Sequence, residues 1–385
     1  MEQYNLRLAD QSDIPNILPI YKENIDIQFH SKSPSAGYSD DAIFEILKHE
    51  ISIHDEISGL YIIENSNKEI LASSNIYFSL HRNGYTFLRF HYKKGLKEAE
   101  VQQLLELMVK LCFQDLNYNK INVEIRRSQI EYINIFIKCG FQEEVILREH
   151  FYIDGTYEDI TRLGITKTDY INKVISPVLL TGGNVSKDED FKLKPNLAPA
   201  NPTLQGEKIF LSSITDEDTD LIYNLYSDSD DKYYASIEAA APNNYQTIKS
   251  LSQRDNDYKS FREGISFSIK KKDGTLVGTM NAAFIDRRNR NLMLGITIYN
   301  SLERGNGYGS EAIKLFTDFA FLEMNMHRVY LGCFGFNSRA FNLYQHLGFK
   351  HEGTNRSFVY RNGNYYDEYV LGVLKQEWLV LRGYL

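Results

Sequence analysis

The sequence predicts an α+β fold in which two similar domains follow one another along the chain. Three observations indicate this: the length, an internal repeat, and a change from alternating to helical hydrophobic spacing within the second half. With 385 residues the chain is longer than one hydrophobic core usually serves, so two or three domains are expected. Each domain is expected to hold a mixed, mostly antiparallel sheet flanked by helices.

The internal repeat is a diverged duplication at an offset of 208 residues. Residues 136–141 match residues 344–349, and in both segments a glycine ends a helix before an aromatic residue. The same offset aligns further identical residues. These are Asn117 with Asn325, Arg148 with Arg356, Tyr152 with Tyr360, Gly155 with Gly363, and Asp159 with Asp367.

A connector separates the two copies. Four of the eight prolines lie between positions 177 and 202, and this stretch has neither strand nor helix periodicity. A proline-rich stretch of this kind is expected to be a semi-extended linker. We therefore predict one domain over 1–166, a linker over 167–205 and a second domain over 206–385.

The second copy begins with alternating hydrophobic residues and continues with helical spacing. Strands are predicted at 264–269, 276–284, 292–299 and 329–334. Helices are predicted from Gly309 onward and around 340–347. A hairpin turn is expected at Asp273-Gly274, and another at 361–364 near the end of the chain.

Composition excludes several classes of function. A net charge of −8 disfavours nucleic acids and anionic membranes and favours a cationic small partner. The N-terminus lacks the order of a signal peptide, and no apolar run approaches the roughly 18 residues that span a bilayer. Three widely spaced cysteines show no metal-ligand pattern. We expect a cytoplasmic protein without a metal.

A glycine-rich loop at 304–309 lies between a predicted strand and a predicted helix. A helix N-terminus has unpaired N–H groups that bind phosphate, and glycines let the backbone approach a ligand closely. No Gly-Lys-Ser/Thr follows, so the loop is not a Walker motif, and its glycine spacing differs from the dinucleotide fingerprint. Spacing alone leaves two interpretations open, a tight turn and a phosphate cradle.

The span from about 264 to 378 resembles the GCN5-related N-acetyltransferase (GNAT) superfamily. The family motif Arg/Gln-x-x-Gly-x-Gly/Ala is present at 304–309. A later family segment is present at 337–349, and the ending at 360–368 is also typical. Three motifs in the family's order make the resemblance specific.

The resemblance implies an acetyl-CoA site and a direct attack of an amine on the thioester. The pantetheine arm would lie along Ile296, Thr297 and Ile298, with a backbone N–H near Ile298 as oxyanion donor. Asn337 would contact the cofactor, and Tyr344 would protonate the departing thiolate. The pyrophosphate would bind the backbone of Arg304, Gly305, Asn306, Gly307, Tyr308 and Gly309, with Ser310 at the helix start.

Two roles in this site stay open at the level of sequence. Tyr344 lies on an apolar helical stripe, so it fits a core tyrosine as well as a catalytic acid. Many relatives carry a glutamate where this chain has Met293. The general base is therefore unassigned. Its candidates are Glu238, Asp286, His327, His346 and Glu368.

The duplication sorts residues by role. At an offset of 208 the loop is matched by residues 96–101, which contain no glycine and two carboxylates. Phe136 stands opposite Tyr344, and Gln129 opposite Asn337. We expect the first domain to keep the fold without the cofactor chemistry. Residues shared by both copies, such as Asp159 and Asp367, are expected to be structural.

The tandem plan is similar to self-resistance acetyltransferases of zwittermicin-, edeine- and paenilamicin-type antibiotic producers. This resemblance implies a primary amine of a small cationic antibiotic as acceptor. Two alternatives remain: an acetyltransferase for a protein N-terminus or a polyamine, and a non-enzymatic acetyl-CoA-binding protein. We expect a monomer, because an intrachain pseudo-dimer could replace a homodimer.

Overall fold

The computed structural model describes two compact units, which we treat separately. The first unit contains Met1–Lys187 and Thr354–Tyr365, and the second contains Asp188–Gly353 and Tyr366–Leu385. Most of the predicted linker and the base candidate Glu238 lie outside the described residues. The domain boundaries at 166 and 206 stay predictions. The described residues are 4–24, 39–52, 59–80, 84–153, 155–172, 185–187, 204–228, 245–246, 264–286, 289–299 and 301–385.

The first unit is built on a mixed sheet. Its strands are β1 (Asn5–Leu8), β2 (Gly59–Glu64), β3 (Ile70–Leu80), β4 (Tyr85–Tyr92), β5 (Lys120–Arg126), β6 (Gln142–Ile153), β7 (Thr156–Thr166) and β8 (Val185–Lys187). Their spatial order is β1-β2-β3-β4-β5-β7-β6, with β8 paired to β7. The pair β4–β5 is parallel and the other pairs are antiparallel.

Helices cover the two faces of this sheet, five of them within the described residues. They are α1 (Ile14–Asn24), α2 (Asp40–Ser52), α3 (Glu98–Lys110), α4 (Ile130–Lys138) and α5 (Lys167–Asn172). One core joins α3 and α4 to the sheet, and a second lies beneath α1 and α2. Burying the sheet on both faces explains the nearly continuous hydrophobic runs of the central strands.

The second unit has the same mixed plan. Its strands are β9 (Ile209–Ser213), β10 (Gly264–Lys271), β11 (Leu276–Asp286), β12 (Asn291–Ile298), β13 (Arg328–Phe334), β14 (Lys350–Arg361, whose last residues belong to the first unit) and β15 (Asn364–Leu374). Strands β15-β13-β12-β11-β10-β9 follow one another in the sheet, and only β12–β13 is parallel among these described pairs.

The helices of the second unit are α6 (Asp216–Asp228), α7 (Tyr308–Leu322), α8 (Ser338–His346) and α9 (Lys375–Leu381). Helix α7 and Trp378 of α9 pack on one hydrophobic core. The predicted strands and the helices at 309 and 340 are confirmed, and so is the α+β class. The sequence analysis did not predict β9, α6 or α9. Among the described residues, no helix has the length and apolar character needed to cross a bilayer.

Local geometry recurs at the predicted offset of 208 residues. Gly140 and Gly348 have φ angles of 96° and 93°, which confirms the left-handed helix ends. The buried pair Lys120–Glu144 joins Nζ to Oε2 at 2.5 Å. Its counterpart at the same offset, Arg328–Glu352, joins Nη1 to Oε1 at 2.6 Å. A buried ion pair at corresponding positions of both units agrees with the duplication, which stays a prediction.

The alignment of the glycine loop needs a correction. Helix α3 begins at Glu98 and α7 begins at Tyr308, so the offset is 210 residues here. Lys97 therefore matches Gly307, and Gly95 (φ 90°) matches Gly305 (φ 91°). The statement that the first copy has lost every loop glycine is wrong. The two extra residues lie where α3 widens into a π-type turn at Leu111–Asp115.

Candidate functional site

A gap opens between the two parallel strands of the second unit. Strand β12 pairs with β13 only through Asn291, Leu292 and Met293, and the register then stops. On its other edge β12 stays paired with β11 as far as Ile298. The gap therefore begins where the predicted pantetheine site begins.

The register also shows which main-chain groups face this gap. The N–H of Tyr299 donates to the carbonyl of Val277 at 3.0 Å, toward β11. Because main-chain groups alternate along a strand, those of Thr297 point to β11 as well. Those of Ile296 and Ile298 point to the β13 side. An extended ligand in the gap could pair with them as a further strand does.

The glycine loop closes one end of the gap. Gly305 and Gly307 have φ angles of 91° and 88°, a region that favours glycine. Gly307 is the residue that precedes the first turn of α7, so the unpaired N–H groups of that turn lie directly after it. Arg304 donates from Nε to the carbonyl of Ile298 at 3.1 Å, which ties the loop to the end of β12.

A cavity of about 920 Å³ lies between the loop, the gap and α8. It brings together eleven of the twelve predicted site residues. Asn306 is the exception: its side chain donates to the carbonyls of Leu302 and Glu303 instead. The residues brought together are Ile296, Thr297, Ile298, Arg304, Gly305, Gly307, Tyr308, Gly309, Ser310, Asn337 and Tyr344.

Helix α8 supplies Asn337 and Tyr344. Asn337 caps the helix, because its side-chain oxygen accepts the N–H of Ala340 at 3.2 Å. Tyr344 is 9% exposed and lines the cavity. Burial, with a smaller contribution from nearby Cys333, raises the pKa of Tyr344 well above its usual value. Its hydroxyl therefore stays protonated at physiological pH and can donate a hydrogen bond.

The structure separates the base candidates into two groups. Asp286 and His327 do not line the cavity; Asp286 accepts hydrogen bonds from Asn289. His346 and Glu368 do line it. His346 is exposed at the end of α8, whereas Glu368 is 7% exposed on β15. Glu368 is thus the buried carboxylate of the cavity.

A glycine makes room for this carboxylate. A Cβ atom built on Gly332 would lie 2.2 Å from Oε1 of Glu368, so any side chain there would collide with the carboxylate. Glu368 pairs with Phe334 across β13 and β15, which places it beside Cys333. Glu368 contributes to the raised pKa of the Cys333 thiol, about 12, although burial is the larger cause. A thiol with this pKa is a poor nucleophile.

Several residues of the site region were not predicted from the sequence, and four of them bear on its chemistry. Gly332 and Cys333 line the cavity from β13, and Arg339 lines it from α8. Lys208 reaches the loop from the start of β9 and donates from Nζ to the carbonyl of Asn306 at 2.9 Å. Arg339 lies within the family segment at 337–349, but no motif in the sequence marks the other three, which join the site through the sheet register and the packing of β9 on α7.

Comparison with known proteins places the second half in a family. Residues 208–350 match the family model described as an acetyltransferase (GNAT) domain. The uncharacterized N-acetyltransferase YoaA of Bacillus subtilis (strain 168) is 29% identical over 181 residues, which cover 45% of this chain and 97% of that protein. A spermidine N(1)-acetyltransferase of Vibrio cholerae is 24% identical over 177 residues, covering 44% of this chain and 97% of that protein.

One solved structure has the same coverage. The crystal structure of a Vibrio cholerae spermidine N-acetyltransferase in complex with CoA and spermine is 22% identical and covers 45% of this chain and 99% of that chain, with a TM-score of 0.42. The family match and the named N-acetyltransferase relatives agree with the resemblance stated from the sequence. Residues 208–350 of this chain therefore form a GNAT acetyltransferase domain, the domain of an acetyl-CoA-dependent acyltransferase.

Proposed function

We propose that the second half acetylates a primary amine of a small cationic molecule. The observation that carries this proposal is one cavity lined by the glycine loop, by Tyr344 and by the buried residue Glu368. A cofactor site, a proton donor and a proton acceptor are the components that acyl transfer to an amine requires.

In this proposal Glu368 takes a proton from the ammonium group of the acceptor. The neutral amine then attacks the thioester carbonyl, a C–N bond forms, and the C–S bond breaks. Tyr344 gives its proton to the departing thiolate and recovers one, through solvent, from the attacking nitrogen, which loses its second proton as the amide forms; the proton held by Glu368 is released to solvent. The N–H groups of Ile296 and Ile298 face the gap and are the proposed oxyanion donors.

Glu368 also removes the reason for a non-enzymatic alternative. That alternative rested on Met293, which stands where many relatives carry a glutamate. Met293 lines the same cavity as Glu368. The carboxylate of Glu368 on β15 can therefore act as the general base in place of a glutamate on β12.

The proposed acceptor is an amine of an aminopolyol or peptide antibiotic of the zwittermicin, edeine or paenilamicin type, with self-resistance as the role. Acetylation removes the positive charge that such compounds use in binding their targets. The net charge of −8 is compatible with a cationic acceptor. A polyamine is the second candidate, favoured by the relative named as a spermidine N(1)-acetyltransferase.

The test is release of CoA thiol from acetyl-CoA over a panel of amines: cationic antibiotics of these types, spermidine and short peptides. The proposal expects turnover with at least one small cationic amine and none with peptides. Tyr344→Phe should lower kcat at every pH with little change in KM for acetyl-CoA. Turnover of peptides alone would contradict the substrate class. A wild-type kcat in Tyr344→Phe would mean that Tyr344 only packs in the core and donates no proton.

The first half is proposed to be non-catalytic. Asn75 pairs with Arg89 as Asn281 pairs with Gly295, so an arginine stands where the active half has a glycine that lines the cavity. The guanidinium of Arg89 lies 3.9 Å from the ring centre of Tyr77 and 3.4 Å from Oε1 of Glu50. In this proposal these side chains take up space that the second unit leaves open beside Gly295.

The start of α3 supports the same proposal. Glu100 accepts the N–H of Lys97 at 2.9 Å through its side chain, so a carboxylate of the chain itself occupies the helix N-terminus. Phe136, fully buried, stands where the active half has Tyr344 and carries no proton to donate.

A further inference from the structure

Two cationic side chains lie beside the glycine loop without being part of its motif. The Nζ of Lys208 donates to the carbonyl of Asn306 at 2.9 Å and lies 3.2 Å from where a Cβ of Gly307 would be. The Nη2 of Arg339 lies 3.5 Å from where a Cβ of Gly305 would be. Each of the two loop glycines with positive φ therefore has a cation next to it.

Glu311 in the first turns of α7 fixes the segment that carries Lys208. Its carboxylate accepts the main-chain N–H of Lys208 at 3.0 Å and that of Ile209 at 3.1 Å, and it also accepts the N–H of Glu207. A Cβ on Gly206 would lie 2.5 Å from Oε1 of Glu311, so glycine is what lets the carboxylate come this close. The backbone of Lys208 is thereby held against the helix that starts at the loop.

The charges of this region leave the two cations available to a ligand. Within the described part of the chain, neither Lys208 nor Arg339 forms an ion pair with a carboxylate. The carboxylate of Glu303, which directly precedes the loop in sequence, pairs with Lys271 at 3.2 Å. Lysine has three donors, and only one of those of Lys208 is used by Asn306. Two cations thus lie beside the loop of a chain whose net charge is −8.

We propose that Lys208 and Arg339 bind phosphate groups of the cofactor beside the loop, with Glu311 as the positioning residue for Lys208. This rests on the proposed role of the loop as the pyrophosphate site. The recognised chemistry is a phosphate oxyanion, which ammonium and guanidinium groups bind through charge-assisted hydrogen bonds. CoA offers two such sources, its pyrophosphate and its 3′-phosphate.

The experiment is calorimetric titration with CoA, 3′-dephospho-CoA and pantetheine. Lys208→Met keeps the length of the side chain and removes its charge; Lys314→Met, at an exposed position of α7, is the control for net charge. We expect Lys208→Met to weaken CoA binding by about tenfold, and Lys208→Arg to restore most of it. Pantetheine binding should be equal in all variants, and Lys314→Met should match wild type.

The three ligands separate the possible outcomes. A loss for both CoA and 3′-dephospho-CoA assigns Lys208 to the pyrophosphate, and a loss for CoA alone assigns it to the 3′-phosphate. Glu311→Ala should reproduce the Lys208→Met pattern, again without affecting pantetheine. Equal affinity of Lys208→Met and Lys314→Met for CoA would overturn the inference. If wild type bound no CoA at all, the proposed site itself would fail.

Discussion

At the scale of single residues, the site depends on a glycine and a carboxylate that are neighbours only in the folded chain. Gly332 and Glu368 are separated in sequence but adjacent across β13 and β15, and the carboxylate occupies the space that a Cβ would need. The sequence places Glu368 among five candidates for the general base. Glu368 cannot be singled out from the sequence, because the choice among the candidates depends on strand register.

We predict that Gly332→Ala and Glu368→Gln have the same kinetic effect. The first displaces the carboxylate and the second neutralises it, so both should lower kcat by about 10²-fold or more, with little change in KM for acetyl-CoA. Asp367→Asn, the same exchange one position earlier on an exposed residue, is the matched control. Steady-state thiol release checks this, and wild-type kcat in Glu368→Gln would exclude it as the base.

At the scale of elements, helix α3 of the first unit and helix α7 of the second are each followed by an asparagine in the same conformation. Asn117 and Asn325 have φ angles of 55° and 53°. Each accepts a hydrogen bond from a lysine at the same offset, Lys167 at 2.7 Å and Lys375 at 3.1 Å. Asparagine tolerates the left-handed region better than other residues with a Cβ.

This pair makes a prediction about stability. Asn117→Ala and Asn325→Ala should each lower the free energy of unfolding by about 1 kcal/mol, since alanine is strained there and cannot accept the lysine. Asn117→Gly and Asn325→Gly should cost less, because glycine relieves the strain. Urea unfolding followed for each half measures the effect. A stabilising alanine at either site would contradict the assigned geometry.

Some elements could be predicted from the sequence and others could not. The strands before the loop, helix α7 and the capping glycines Gly140 and Gly348 follow from local periodicity and from the conformational needs of single residues. The alignment of the two copies at the glycine loop does not follow from the sequence. The first copy has two extra residues near the π-type turn at Leu111–Asp115, and no local pattern in the sequence marks them. Lys208 was missed because β9 was not predicted.

At the scale of the whole molecule, the chain is expected to lose stability in acid through a residue of the first half. His91 is fully buried, packs its ring against Tyr21 at 4.8 Å between centres, and has an Nε2 without a hydrogen-bond partner in the described structure. Burial and, to a lesser extent, the charge of Arg89 lower the pKa of His91 to about 3. The folded protein therefore keeps this histidine neutral.

The direction of this pH dependence follows from the ordinary pKa of a histidine, about 6.5, in the unfolded chain. Below that pH the unfolded state binds a proton at His91 and the folded state does not. The free energy of unfolding present above pH 6.5 therefore falls toward pH 3, at about 1.4 kcal/mol per pH unit. Burial raises the pKa of nearby Glu50, which opposes part of this loss. Unfolding measured from pH 7 to 4 should show a smaller slope in His91→Gln than in wild type. The control His49→Gln, at an exposed position, should keep the wild-type slope. A wild-type slope in His91→Gln as well would contradict the prediction.

The central claim is that the loop of the second half holds acetyl-CoA and that the matching place in the first half does not. The most direct measurement is acetyl-CoA binding by calorimetry, together with thiol release, for wild type, Gly307→Glu and Lys97→Glu. Lys97 is exposed and stands where Gly307 stands in the other copy. We predict that Gly307→Glu loses both binding and turnover, because glycine is needed at this φ and a carboxylate repels the phosphates, while Lys97→Glu matches wild type. Full binding and turnover in Gly307→Glu would contradict the claim.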